Sequence, residues 1–226
     1  MDNLTAGDQV KAPGAPPPVV MRLDETKESA AMLAKKIVII DGHPDPGEDR
    51  YCHALVNTYA TAASSAGHWV RRTTLAHMEL PGPHSIQDWE TGDAPAVLQE
   101  AQDAIGWADH LVIVYPLWLG SMPSLLKAFF EQTFRPGFAV AHGKRRLRGG
   151  LLKGKSARII VTMGMPAFVY RLYFFSHSLA ALKRNILRFA GIGPIATTLI
   201  GGIETIGVKG RQKWLRRIER LGREGK

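Results

Sequence analysis

The sequence predicts a three-layer α/β fold built on a five-stranded, doubly wound parallel sheet. From Lys35 onward, short apolar runs rich in β-branched residues alternate with longer amphipathic segments, the signature of strand–helix–strand repeats. The strongest runs are apolar at consecutive positions, as strands covered on both faces require. The chain has 226 residues, 45% hydrophobic and 22% charged, which suffices for one domain with a full core.

Ile37-Val38-Ile39-Ile40, ending at Asp41-Gly42, is the first strand. Ala54 to Ala66 reads as a helix closed by Gly67. Val70 to Leu75 is a weaker strand whose Arg71 and Arg72 suit a sheet edge. Ala94 to Trp107 reads as a helix, and the strand Leu111 to Tyr115 follows. Pro123 stands in the first turn of the next helix, with Leu126, Phe129 and Phe130 on its apolar face. Arg158 to Met163 is another strand, and Leu179, Leu182, Ile186 and Phe189 form a helical stripe. Ile195 to Ile200 is the last strand; Trp214, Ile218 and Leu221 line a closing helix.

Residues 1–34 read as a disordered tail preceding a domain at 35–226. Pro13, Pro16, Pro17 and Pro18 sit there among Gly, Ala and Asp, a composition that builds no core. The start lacks the apolar stretch of a secretory signal. The most apolar region, Phe168 to Gly193, is interrupted by Arg171, His177, Lys183, Arg184 and Arg188, so no membrane span is expected. Cys52 is the only cysteine, which excludes an intrachain disulfide and a cysteine-ligated cluster and fits a reducing cytoplasm. The histidines show no metal-ligand spacing, so no metal is expected.

The net charge of +9 favours anionic partners. Lys144, Arg145, Arg146, Arg148, Lys153, Lys155 and Arg158 form a basic run without an acidic residue. No aromatic residue interleaves it and no nucleic-acid-binding motif accompanies it. It reads as a solvated loop, and nucleic acid is not expected as a partner.

Doubly wound sheets bind ligands at the carboxyl ends of their strands, which directs attention to 41–54, 115–123 and 162–170. In the first segment His43, Arg50 and His53 add side-chain donors beside a helix start; it reads equally as an anion cradle and as a Pro/Gly turn. It is neither a Walker A loop nor a Gly-x-Gly-x-x-Gly fingerprint. In the second, Pro116, Leu117, Trp118 and Leu119 either offer a flat surface to an aromatic heterocycle or cap the core. In the third, Gly164 permits close approach of a ligand and Tyr170 supplies a hydroxyl. The aromatic run from Phe168 to Phe175 reads as core or dimer surface.

Taken together, these segments resemble the flavin-dependent NAD(P)H:quinone reductases, which have a flavodoxin-like fold. The resemblance covers about residues 35–222. It rests on the strand followed by His43-Pro44-Asp45-Pro46, and on Tyr115-Pro116-Leu117 with Pro123 and Leu125-Leu126-Lys127-Ala128-Phe129-Phe130-Glu131 behind it. Arg135-Pro136-Gly137-Phe138-Ala139, Leu152-Lys153-Gly154-Lys155 and Thr162-x-Gly164 complete it.

The resemblance implies that His43 and the 50–53 segment (Arg50, Tyr51, Cys52 and His53) hold the flavin phosphates and that Pro116, Leu117, Trp118 and Leu119 meet the isoalloxazine. It places Thr162, Met163 and Gly164 at the pyrimidine edge and gives Tyr170 a part in hydride transfer. It implies FAD, with FMN as the alternative, and NAD(P)H as co-substrate. It further implies a quinone-like acceptor served by ping-pong kinetics, a homodimer and a cytoplasmic location. The chain departs from the family at Arg50-Tyr51-Cys52, where Ser-Phe-Asn is usual. Trp118 stands one place early, and His177 one place late. The alternative function is a flavin-binding regulatory subunit that acts through a partner such as an ion-efflux system.

Overall fold

The computed structural model describes residues 34–226 except 81, 84, 92, 93 and 143–148. Residues 1–33 of the expected tail, and Lys144, Arg145, Arg146 and Arg148 of the basic run, lie outside the described residues.

Five strands form one parallel sheet: β1 (Lys36–Asp41), β2 (Trp69–Thr74), β3 (His110–Pro116), β4 (Ser156–Thr162) and β5 (Ile195–Ile200). Their spatial order is β2-β1-β3-β4-β5. β1 pairs with β2 on one side and β3 on the other, so the strand order reverses beside β1. β2 lies at an edge, as its two arginines led one to expect.

The helices are α1 (Tyr51–Ser65), α2 (Ile86–Thr91), α3 (Gln99–Trp107), α4 (Ser124–Thr133), α5 (Ala167–Leu172), α6 (His177–Ala181) and α7 (Gly207–Arg223). Alternation along the strands builds the two cores. Val38, Ile40, Leu111, Ile113 and Tyr115 bury against α3, α4 and the segment after α6. Ile37, Ile39, Val112 and Val114 bury against Leu55, Val56 and Tyr59 of α1 and Ile218 of α7. Each fully buried large side chain stabilises this packing by roughly 1.5–3 kcal/mol.

Three expected boundaries are corrected. α1 begins at Tyr51, three residues before Ala54, because Arg50 already has the extended backbone of a helix cap. The helix expected over Ala94–Trp107 is a short 3-10 turn, Ala96–Leu98, followed by α3. The stripe of Leu179, Leu182, Ile186 and Phe189 is broken because residues 182–188 wind as a π-helix, wider than an α-helix. Leu182 and Leu187, five residues apart, are both fully buried there, while Phe189 is exposed. Two short helices, α2 and α5, carry no periodic signal that the sequence reading detected.

A candidate site at the strand tips

β1, β3 and β4 are neighbours, so the three expected loops converge at one end of the sheet. Gly42 fixes the first junction. Its N–H donates to the carbonyl of Val114 at 2.8 Å, and a Cβ there would lie 3.0 Å from Leu126 Cδ2 and 3.1 Å from that carbonyl.

Asp41 ends β1 on the face that α1 covers, and its side chain is wholly buried. A buried carboxylate is costly unless paired. Arg72 donates to its Oδ2 at 2.5 Å, and His53 Nδ1 lies 2.8 Å from the same oxygen. In the sheet register Arg72 faces Ile39, two residues before Asp41 and on the same face, so the guanidinium reaches the carboxylate diagonally. The guanidinium also donates to Asn57 Oδ1 at 2.7 Å. His53 Nε2 stands 2.9 Å from the carbonyl oxygen of Asp45.

His43 is nearly buried, with its ring edge-on to Trp118 at 5.8 Å and 5.3 Å from His53. The Asp45 N–H donates to His43 Nδ1 at 3.1 Å. Burial first, and the neighbouring His53 second, hold His43 below the ordinary imidazole pKa, which favours its neutral form. The Asp45 carbonyl oxygen lies 3.2 Å from the same nitrogen, so Nδ1 meets both a donor and an acceptor of Asp45 and serves either tautomer. The Asp45 carboxyl is held low by the N–H of Gly47, at 2.8 Å, and then by Arg50, at 2.8 Å.

Arg50, expected at a phosphate, is engaged by Asp45 and by Asp49 at 3.5 Å. Tyr51 turns its hydroxyl to the carbonyl of Arg211 at 2.9 Å, and burial raises its pKa to about 12. Cys52 points inward: its Sγ is 3.3 Å from Thr162 Oγ1, and burial pushes the thiol up to about 12. It is a packing residue that ties α1 to β4. No side chain caps α1, and no acidic residue stands in its first turn.

At the β3 tip the Leu117 N–H donates to the carbonyl of Thr162 at 2.7 Å, extending the pairing past Pro116. Trp118 and Ser121 exchange hydrogen bonds of 2.9 and 2.8 Å across Leu119 (φ +46°) and Gly120 (φ +76°), as in a tight hairpin turn. Trp118 is about half exposed and Leu119 fully exposed. At the β4 tip Met163 is buried, its N–H on the carbonyl of Ile200 at 2.9 Å, and Gly164 is exposed.

Tyr170 is 1% exposed. Its hydroxyl is 2.8 Å from Ser178 Oγ and accepts from the Leu179 N–H at 3.3 Å. Ser178 lines a cleft of about 730 Å3 together with Trp118, Leu119, Met122 and Leu182. Tyr170 thus meets the cleft through Ser178. The sequence reading missed Ser178, Asp41 and Arg72. An aspartate ending an otherwise apolar strand was the available signal, because such a side chain needs a partner from elsewhere.

A parallel sheet wound in this order, with open polar loops at its carboxyl end, defines the class. The profile of the flavodoxin-like fold family matches residues 35–221, and the chain belongs to that family. It is 30% identical to a Haemophilus influenzae protein named an uncharacterized NAD(P)H oxidoreductase, over 61% of this chain and 65% of that one. It is 28% identical to an FMN-dependent NADH:quinone oxidoreductase of Beijerinckia indica, over 75% and 89% of the two chains. The solved structure of Smu.1420 from Streptococcus mutans matches with a TM-score of 0.67 at 29% identity, over 83% of this chain and 98% of that one. The chain therefore spans just under two thirds of the Haemophilus relative's length. Among the described residues no cluster of His, Cys, Asp and Glu fit to hold a metal ion is present, and no helix is long and apolar enough to cross a membrane.

Proposed function

We propose that the chain is a flavin-dependent NAD(P)H oxidoreductase with a quinone-like acceptor. The observation that carries this reading is the pairing of an uncapped, acid-free start of α1 with the half-exposed indole of Trp118, one strand away at the same end of the sheet. A phosphate fits the first and an aromatic ring the second. When bound, the flavin supplies the redox chemistry, taking a hydride from NAD(P)H and passing the electrons on in ping-pong order.

The chain's own groups then have distinct tasks. First-turn N–H groups at Tyr51 and Cys52, with the His43 ring, hold the phosphate. Arg50, tied to Asp45, shapes the loop beneath it. Pro116, Leu117, Trp118 and Leu119 lie along the ring, and Thr162, Met163 and Gly164 border its far edge. The hydroxyls of Tyr170 and Ser178 stand in series behind the cleft, where a donor stabilises negative charge that develops during transfer.

FMN is the favoured flavin, in place of the FAD first expected, because the Beijerinckia relative is named for FMN. The exposed Phe168, Leu172, Tyr173 and Phe175 form an apolar surface that a homodimer covers. The lone, buried Cys52 accords with a cytoplasmic location.

The test is the visible spectrum of the purified chain with chromatography of the released cofactor, followed by turnover with NADH or NADPH and menadione. A yellow protein releasing FMN and reducing menadione is expected. A colourless protein that takes up neither FMN nor FAD refutes the reading, and a yellow but inert one points to the regulatory subunit. Sedimentation at about twice the 24.8 kDa chain mass is expected for the dimer.

A further inference from the structure

We propose that His53 is a positioning residue, a buried imidazolium that holds the 43–50 loop in the shape that receives the flavin phosphate. The inference rests on the flavin reading and adds to it a residue that touches no ligand.

The proton inventory at His53 is set by its neighbours. Nδ1 faces the Asp41 carboxylate at 2.8 Å and Nε2 faces the Asp45 carbonyl at 2.9 Å. A carbonyl oxygen only accepts, so Nε2 carries a proton. Arg72 donates to the same Asp41 oxygen, which favours the ionised carboxylate, so Nδ1 carries a proton as well. Both ring nitrogens of His53 therefore donate in this geometry, whereas Nδ1 of His43, one ring away, meets both the N–H and the carbonyl of Asp45.

The mechanical consequence follows from where each bond ends. Asp41 belongs to β1 and Arg72 to β2, both parts of the sheet. Asp45 belongs to the loop and links on to His43 through its N–H, to Gly47 and to Arg50. His53 bonds both sets of groups, so it transmits the position of the sheet to the carbonyl of Asp45. The other ionisable groups around it are His43, Glu48 of the loop and His77 after β2, which line its surroundings or its cleft. Asn57 and Thr74 complete the cleft wall, whose volume is about 500 Å3.

Two amides separate the two bonds. In His53→Asn the amide nitrogen takes the place of Nδ1, keeping the contact with Asp41 and losing Asp45. In His53→Gln the amide nitrogen takes the place of Nε2 and keeps the tether to Asp45. Affinities for FMN and for riboflavin, which lacks the phosphate, are read from flavin fluorescence on the full flavin-free chain. The Asn variant is expected to bind FMN about tenfold or more weakly, the size of one charge-assisted hydrogen bond. The Gln variant keeps the tether to the loop but cuts it from Asp41 and the sheet, so it too is expected to bind FMN about tenfold more weakly, with the riboflavin affinity of both variants within about twofold of the parent. Nitrogen-15 spectra of the unliganded parent at pH 7 are expected to show two protonated ring nitrogens for His53 and one for His43.

Equal losses for FMN and riboflavin, an unaffected Asn or Gln variant, or a single protonated nitrogen at His53 each overturn the proposal while the flavin reading stands. A parent chain that binds neither flavin overturns both.

Discussion

The two ends of the sheet each bury a histidine, and they treat it in opposite ways. His53, 6% exposed at the carboxyl end, has an acceptor at both ring nitrogens. His110, 4% exposed at the amino end, meets Ser156 Oγ at 2.7 Å through Nδ1, and its Nε2 has no hydrogen-bond partner among the described residues. Burial lowers the His110 pKa to about 4, and the positive charges of Lys35 and Arg158 act in the same direction. Near-equal burial thus goes with two paired nitrogens at one end and, among the described residues, one unpaired nitrogen at the other. The decisive variable is the set of partners: a carboxylate is bonded to His53, whereas His110 bonds a serine hydroxyl. Burial alone does not mark a functional histidine.

The largest effect that would break this contrast concerns Cys52, buried beneath the open loops of the carboxyl end. With its thiol pushed up to about 12, alkylation of the native chain at pH 8 is expected to be about a thousandfold slower than in urea. Comparable rates would show that water and reagent reach this thiol.

The next test sharpens the amino end. An unfolded His110 titrates near 6.5, while the folded ring stays neutral down to about 4. Protons therefore bind the unfolded chain preferentially between these values, and stability is lost as the pH falls through that window. From pH 7 to pH 5 the parent is expected to lose about 2 kcal/mol more than His110→Gln in urea melts. Parallel losses would remove His110 from the account.

A smaller effect is expected at Tyr170. Replacing it with Phe removes the inner of two hydroxyls, and pre-steady-state flavin reduction is expected to slow about tenfold with flavin affinity unchanged. An unchanged rate would assign Tyr170 to packing alone. Smallest of all, removing residues 1–34 is expected to leave the FMN dissociation constant within about twofold. A larger change would show that the domain does not begin near Lys35.

The architecture was legible because strands buried on both faces write themselves as uninterrupted runs. Ile37 to Ile40 and Leu111 to Tyr115 fall inside β1 and β3. The three loops were legible too, since strand tips are where such folds bind. The Asp41–Arg72 bond was not. It depends on which strands are neighbours and on their register, and Arg71-Arg72 viewed alone signalled only an exposed edge. The burial of the Tyr170 hydroxyl against Ser178 was hidden for a similar reason, because a break between α5 and α6 turns the chain back on itself. Leu179, Leu182, Ile186 and Phe189 misled because the pattern assumes 3.6 residues per turn, and the chain there does not keep that winding.

That π-helical stretch has a consequence for how the chain tolerates length changes. A wide coil stores surplus backbone, so deleting one residue between Lys183 and Ile186 lets the rest tighten into ordinary winding while both buried leucines keep facing inward. Insertions and deletions elsewhere in the helices rotate an apolar face into water. Here the molecule carries a slack link, placed along the wall of the cleft beside Trp118.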